Sequence, residues 1–133
     1  MDLKKLAAWL SAFPGFQGLD WAFDCLPHRP GLVTLTPEGI QTLDTIEDVM
    51  GNRKKTMQFT CQVAFSGTDC AQMLVDFQHW VEAFPPQLGK GRKTAALRDG
   101  RHLQKNKLGL DLYTAQLKIT YEIYYEVNEN GEN

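Results

Sequence analysis

Thiols, imidazoles and paired carboxylates carry most side-chain chemistry, and this 133-residue chain gathers few of them. Cys25 and His28 come nearest to a thiol–imidazole pair. A nucleophile needs a base within hydrogen-bond reach, and the intervening Leu26-Pro27 bends the chain without aligning the two side chains. Asp20, Asp24 and His28 offer mixed oxygen and nitrogen donors, but their spacing matches no ligand pattern for zinc or calcium. Gly89-Lys90-Gly91 is a fragment of a phosphate-cradling loop with no strand before it and no helix start after it, so the context fails. His79 falls on the polar side of a helical stretch and reads as a surface histidine. No G-x-S-x-G, H-E-x-x-H, P-loop or G-x-G-x-x-G occurs. The residues thus nominate no catalytic, metal or cofactor site and favour a binding or structural role over an enzyme.

Composition narrows the class further. Hydrophobic residues at 43% and charged residues at 23% are ordinary for a globular domain. A chain of this length can bury a core without staples, and 1–127 is expected to be a single domain. The formal charge of −2 gives no electrostatic argument for general nucleic-acid or membrane binding. Three cysteines, Cys25, Cys61 and Cys70, form no C-x-x-C pair and cannot all pair internally. Cys61 falls on the apolar face of an expected strand, so reduced thiols and a cytoplasmic origin are expected. The N-terminal MDLKKLAAWLSAF is too short and interrupted for a membrane span or a signal peptide.

The elements that would position any site are organised around Leu112 to Val127, LYTAQLKITYEIYYEV. Odd positions from Ala115 to Val127 are apolar and the even positions largely polar, a period of two that predicts a strand with one buried face. At about 3.3 Å per residue it would span roughly 50 Å, so it is expected to bend, break or project beyond its sheet. Arg53 to Phe65 repeats the pattern through Met57, Phe59, Cys61, Val63 and Phe65 and is its best partner. Two half-apolar strands covered by an amphipathic helix make an α+β layer.

Other stretches fill in the order. Asp2 to Phe13 predicts a short helix with Leu3, Leu6, Ala7, Leu10 and Phe13 on one stripe, Trp9 packed at its margin, and Pro14-Gly15 ending it. Gln17–Phe23 and Gly31–Leu35 read as short strands limited by Pro27, Pro30 and Pro37. Gly39 to Met50 fits a helix almost as well as a strand. An extended segment is preferred, turning at Gly51-Asn52 into Arg53–Phe65 as an antiparallel hairpin. Thr68 is the expected N-cap, with Asp69 in the first turn, of a helix to about Phe84. Its stripe would be Ala71, Leu74, Phe77, Trp80, Val81 and Phe84, and Pro85-Pro86 stops it. Pro85 to Gly100, with Lys90, Arg92, Lys93 and Arg98, reads as an exposed basic loop; the sharper alternative is an arm that orders on an acidic partner or a phosphate backbone. Arg101–Leu108 and a Gly109–Asp111 turn would complete a second hairpin, and residues 128–133 form a polar, disordered end.

The order of these features resembles the small minor capsid proteins of tailed phages and prophages, which are similar to tail terminators of the lambda tail-terminator fold. The resemblance runs from Leu3 to Val127: FPGF after the first helix, Leu19-Asp20-Trp21, Leu35-Thr36-Pro37 with Gly39, the Glu47-Asp48-Val49-Met50-Gly51-Asn52 turn, Asp76-Phe77-Gln78-His79-Trp80-Val81, and the long last strand. It implies a mixed, largely antiparallel sheet with long strands, flanked by two helices in a single layer on one face. It also implies a virion structural protein at the head–tail junction. The chain would assemble in the bacterial cytoplasm as a ring, typically a hexamer, that caps the tail tube, joins it to the head connector and contacts passing DNA. Arg53, Lys55, Lys90, Arg92, Lys93 and Tyr124 are the residues expected to carry assembly and partner contacts. A neck or head-completion protein and a non-catalytic cytosolic ligand-binding domain are the alternatives.

Overall fold

Alternation of apolar and polar residues builds five strands into one sheet, in the spatial order β1-β2-β3-β5-β4. The computed structural model describes residues 2–27, 29, 31–67, 70–87, 93–103 and 111–127. In chain order the elements are α1 (Leu3–Leu10), a 3-10 turn (Pro14–Phe16), β1 (Asp20–Phe23), β2 (Leu32–Glu47), β3 (Arg53–Gly67), α2 (Cys70–Ala83), β4 (Thr94–Leu103) and β5 (Asp111–Tyr125). Only β1 runs parallel to its neighbour; β2–β3, β3–β5 and β5–β4 are antiparallel. The fold is α+β with a mixed, mostly antiparallel sheet and two helices, as the sequence predicts.

The core lies on one face of that sheet. Val33 and Leu35 of β2, Phe59, Cys61, Val63 and Phe65 of β3, Ala115, Leu117 and Ile119 of β5, and Ala95 and Leu97 of β4 form a buried cluster with Leu6, Leu10, Phe13, Phe16, Phe77 and Val81. Phe16 wedges between helix and sheet, its ring 4.8 Å from Phe77 and 5.5 Å from Phe65. Trp9 stacks on Trp80 at 5.4 Å and donates its indole N–H to the Phe84 carbonyl, which ties α1 to α2 as the packed-edge reading of Trp9 expects. Gly100 lets α2 sit close on β4: a Cβ there would lie 3.1 Å from Leu74 Cδ2.

Local chemistry sets the boundaries, and several differ from the sequence expectation. Asp2 caps α1 by accepting from Lys4 N at 2.9 Å, and the helix ends at Leu10, leaving Phe13 to the turn that follows. The segments around 31–35 and 39–50 are one strand, so Pro37 does not stop β2. Beyond Leu35 the strand has left β1 behind, and its register slips between Pro37 and Gly39; edges and bulges are where a missing N–H is tolerated. The helical alternative for 39–50 is set aside in favour of the preferred hairpin. The α2 stripe is rotated: Met73 packs against the core, while Ala71 and Phe84 are exposed. The expected loop through Gly100 gives way at its C-terminal end, where residues 94–98 are ladder-paired in β4, Asp99 and Gly100 lie in its register break, and Lys93 is buried. Leu97 and Ala95 face the core there, and that burial overrides the loop-like composition. The expected Thr68 N-cap, Asp69, the turn at 109–110 and the end at 128–133 lie outside the described residues.

Candidate assembly surface

Three strands outrun their helical cover. The last four-stranded row with a buried centre is Ile40–Phe59–Ile119–Ala95, in which Ile40 at the edge is exposed, and β4 starts one residue beyond it at Thr94. Among the described residues β2, β3 and β5 continue from there without β4, β5 by the five residues Tyr121–Tyr125, which is roughly 17 Å at the strand rise. Tyr121, the first β5 residue of this three-stranded extension, still packs against the core; beyond it no described residue of the extension belongs to the buried cluster. The extension's helix-side face continues the core pattern with Met57, Tyr121 and Ile123, each half-exposed.

The extension ends in a built turn. Asp48 accepts from the amides of Met50 at 2.8 Å and Asn52 at 3.0 Å through one carboxylate oxygen, and from Asn52 Nδ2 at 2.9 Å through the other. These bonds, the Asn52 side chain first, hold its carboxyl below the ordinary 3.8. Gly51 sits at φ +88°, where a side chain is strained, and a Cβ there would also lie 3.1 Å from Val127 Cγ2. Asn52 Oδ1 then accepts from Val127 N at 2.8 Å, tying the turn to the end of β5. The polar residues of the turn are thus spent on holding it. What it presents to solvent is apolar: Val49 is 102% exposed and Met50 74%. Ile40, Leu43 and Ile46 on β2 are also about half-exposed or more.

The charged side chains named from sequence divide between the two faces. Arg53 and Lys55 share the helix-side face with Tyr125, their charged groups 5.3 Å and 5.7 Å from its ring. Such contacts at exposed sites are worth about 0.5–1 kcal/mol each. Tyr124 points to the opposite face opposite Lys54, and donates its hydroxyl proton to Glu122, which raises its pKa above the ordinary 10.0. Lys93 lies apart from these, buried at the start of β4, so it is no exposed contact residue. Lys90 and Arg92 lie outside the described residues. A recess of about 420 Å³ lined by Ile46, Asp48, Arg53, Lys54, Tyr124 and Val127 occupies the base of the turn.

The remaining chemical candidates resolve separately. Asp20 is engaged by Arg29 at 2.6 Å, and the described residues hold no cluster of three or more metal-ligating side chains. His28 lies outside the described residues. Cys25 and Cys61 are free thiols, Cys25 exposed and Cys61 buried, and burial pushes the Cys61 thiol up to about 12, where it is inert as a nucleophile. Among the described residues no helix is long and apolar enough to cross a membrane.

Sequence reasoning missed Val49 and Met50, because turn chemistry drew attention to Asp48, Gly51 and Asn52. Their signal was present: two large apolar residues at a hairpin apex, with no core within reach. Comparison with known protein families and with curated proteins finds no match for this chain.

Proposed function

We propose that this chain is a non-catalytic structural subunit of a tailed-phage or prophage virion, acting at the head–tail junction in the manner of a tail terminator. It assembles in the bacterial host into a ring of about six copies that caps the tail tube and joins it to the head connector. The observation that supports this reading is the three-stranded extension. It leaves strand edges unpaired among the described residues and carries Val49 and Met50 into solvent, features that a monomer has to protect. A subunit that must contact a neighbour and a tube end uses them. Rings are built from contacts that join different patches of successive copies and then close, and they need no active site.

Within this assembly the extension is the contact element, with Arg53 and Lys55 on one face and Tyr124 on the other. The resemblance in the Glu47–Asn52 turn and the Asp76–Val81 helix supplies the phage context. The test is capping: purified protein added to polymerising tail-tube protein of the same phage should arrest tubes at one end, with a single ring visible there by electron microscopy. Tubes that grow unchanged while the protein binds the portal-side connector would favour a neck protein instead.

A further inference from the structure

We infer that copies of this chain join edge to edge, with the outer edge of β2 in one copy pairing antiparallel with the outer edge of β4 in the next. This rests on the ring reading and names the surface through which successive subunits meet.

The sheet leaves two usable edges at the same height. β1 pairs with β2 only as far as Leu35, so β2 from Thr36 onward has an unpaired side among the described residues. β4 is the last strand at the opposite margin of the sheet. Two rows bound the stretch, Thr36–Gln62–Gln116–Arg98 and Gln41–Gln58–Thr120–Thr94, with the β2 slip at Pro37–Gly39 between them. A second copy displaced sideways by one sheet width brings its Thr94–Arg98 opposite Thr36–Gln41, with the one extra β2 residue taken up in the slip between Pro37 and Gly39.

Direction and shape agree. β2, β3, β5 and β4 alternate in direction, so β2 of one copy and β4 of a like-oriented neighbour run antiparallel, the arrangement that pairs slightly better per residue. Above this stretch, β1 of the first copy would block the neighbour's β4. The register of β4 breaks between Arg98 and Arg101, in the row where Leu35 meets β1. A bulge there bends the strand away from its line.

Charge decides among the free edges. The outer part of β2 carries Glu38, Asp44 and Glu47 and no basic residue, whereas β4 carries Arg98 and Arg101 against Asp99. Pairing places Arg98 of one copy beside Thr36 to Glu38 of the next, and covers Ile40, which is 54% exposed in the single chain. The Glu38 carboxylate there exchanges its 3.3 Å hydrogen bond from Gln116 Nε2 for the neighbour's guanidinium. The other open stretch, Tyr121–Tyr125 of β5, would run parallel to β2 and set Glu122 against its acidic residues. β1 has four residues and little edge to offer. Because the two patches differ, the contact is head-to-tail and propagates beyond a dimer.

Charge reversal tests this. Glu38 and Arg98 are both exposed, so Glu38→Arg and Arg98→Glu should fold like the wild type by circular dichroism. Each variant alone should self-associate at least about tenfold more weakly than wild type in sedimentation velocity, since like charges then face each other. An equimolar mixture of the two restores opposite charges at every contact and should recover wild-type assembly. If wild type assembles and neither variant weakens it, or the mixture gives no recovery, edge pairing is overturned while the ring reading stands. If wild type remains monomeric to millimolar concentration, edge pairing is overturned, and tube capping alone decides the ring. Recovery in the mixture, with particles that never close to one size, upholds the pairing and removes the terminator reading.

Discussion

At single residues, side chains act both for and against the fold. Thr34 is buried on the face away from the helices, and its Oγ1 has no hydrogen-bond partner among the described residues. A desolvated, unpaired hydroxyl opposes folding. Thr34→Val should therefore raise unfolding stability by about 1 kcal/mol in chemical denaturation; an equal or lower value would mean that the hydroxyl is bonded. Asp48 works in the other sense. Its folded pKa is held below 3.8, so its stabilisation of the turn is complete above that value and is lost as pH falls through the lower, folded one. The amide resonances of Met50 and Asn52 should titrate together with a midpoint below 3.8, and in Asp48→Ala that shared transition should vanish. A midpoint at or above the ordinary value would separate the carboxylate from the turn. Asp48, Gly51 and Asn52 were legible in the sequence as a turn; the unpaired Thr34 was not, because it depends on what lies above it.

Among the elements, periodicity carried most of the information. The alternation in Arg53–Phe65 and Leu112–Val127 predicts β3 and β5 and their buried faces, since a period of two leaves no choice of which side enters the core. The sequence also implies that β5 exceeds the needs of a small domain, and the excess is the extension. Less legible was β2, where Pro37 and Gly39 interrupt the alternation and the register slips keep the strand going. β4 was obscured by the lysines, arginines and glycines before and within it, because composition reads as loop until pairing with β5 supplies a partner. If the extension is a contact element, its apex should be dispensable for folding and needed for assembly. Val49→Asp with Met50→Asp should leave the unfolding free energy within about 0.5 kcal/mol of wild type, as surface changes do, and abolish capping of tail tubes. Full capping by this variant would move the tube contact elsewhere on the molecule.

For the whole molecule, buried and exposed groups are distributed unevenly along the sheet. One end of the sheet holds the core, and the other carries exposed apolar groups, basic residues beside a tyrosine, and strand edges unpaired among the described residues. The fold class was legible in the sequence. The separation into a packed half and a projecting half was not, since it depends on where the helices stop, which tertiary packing decides. The most direct test of the central claim is the native mass of particles formed by the purified chain, free and on tail-tube ends, by native mass spectrometry and image averaging. The account predicts one closed species of about six times the 15.1 kDa chain mass. A chain that stays monomeric free in solution and leaves no ring on tube ends would contradict it.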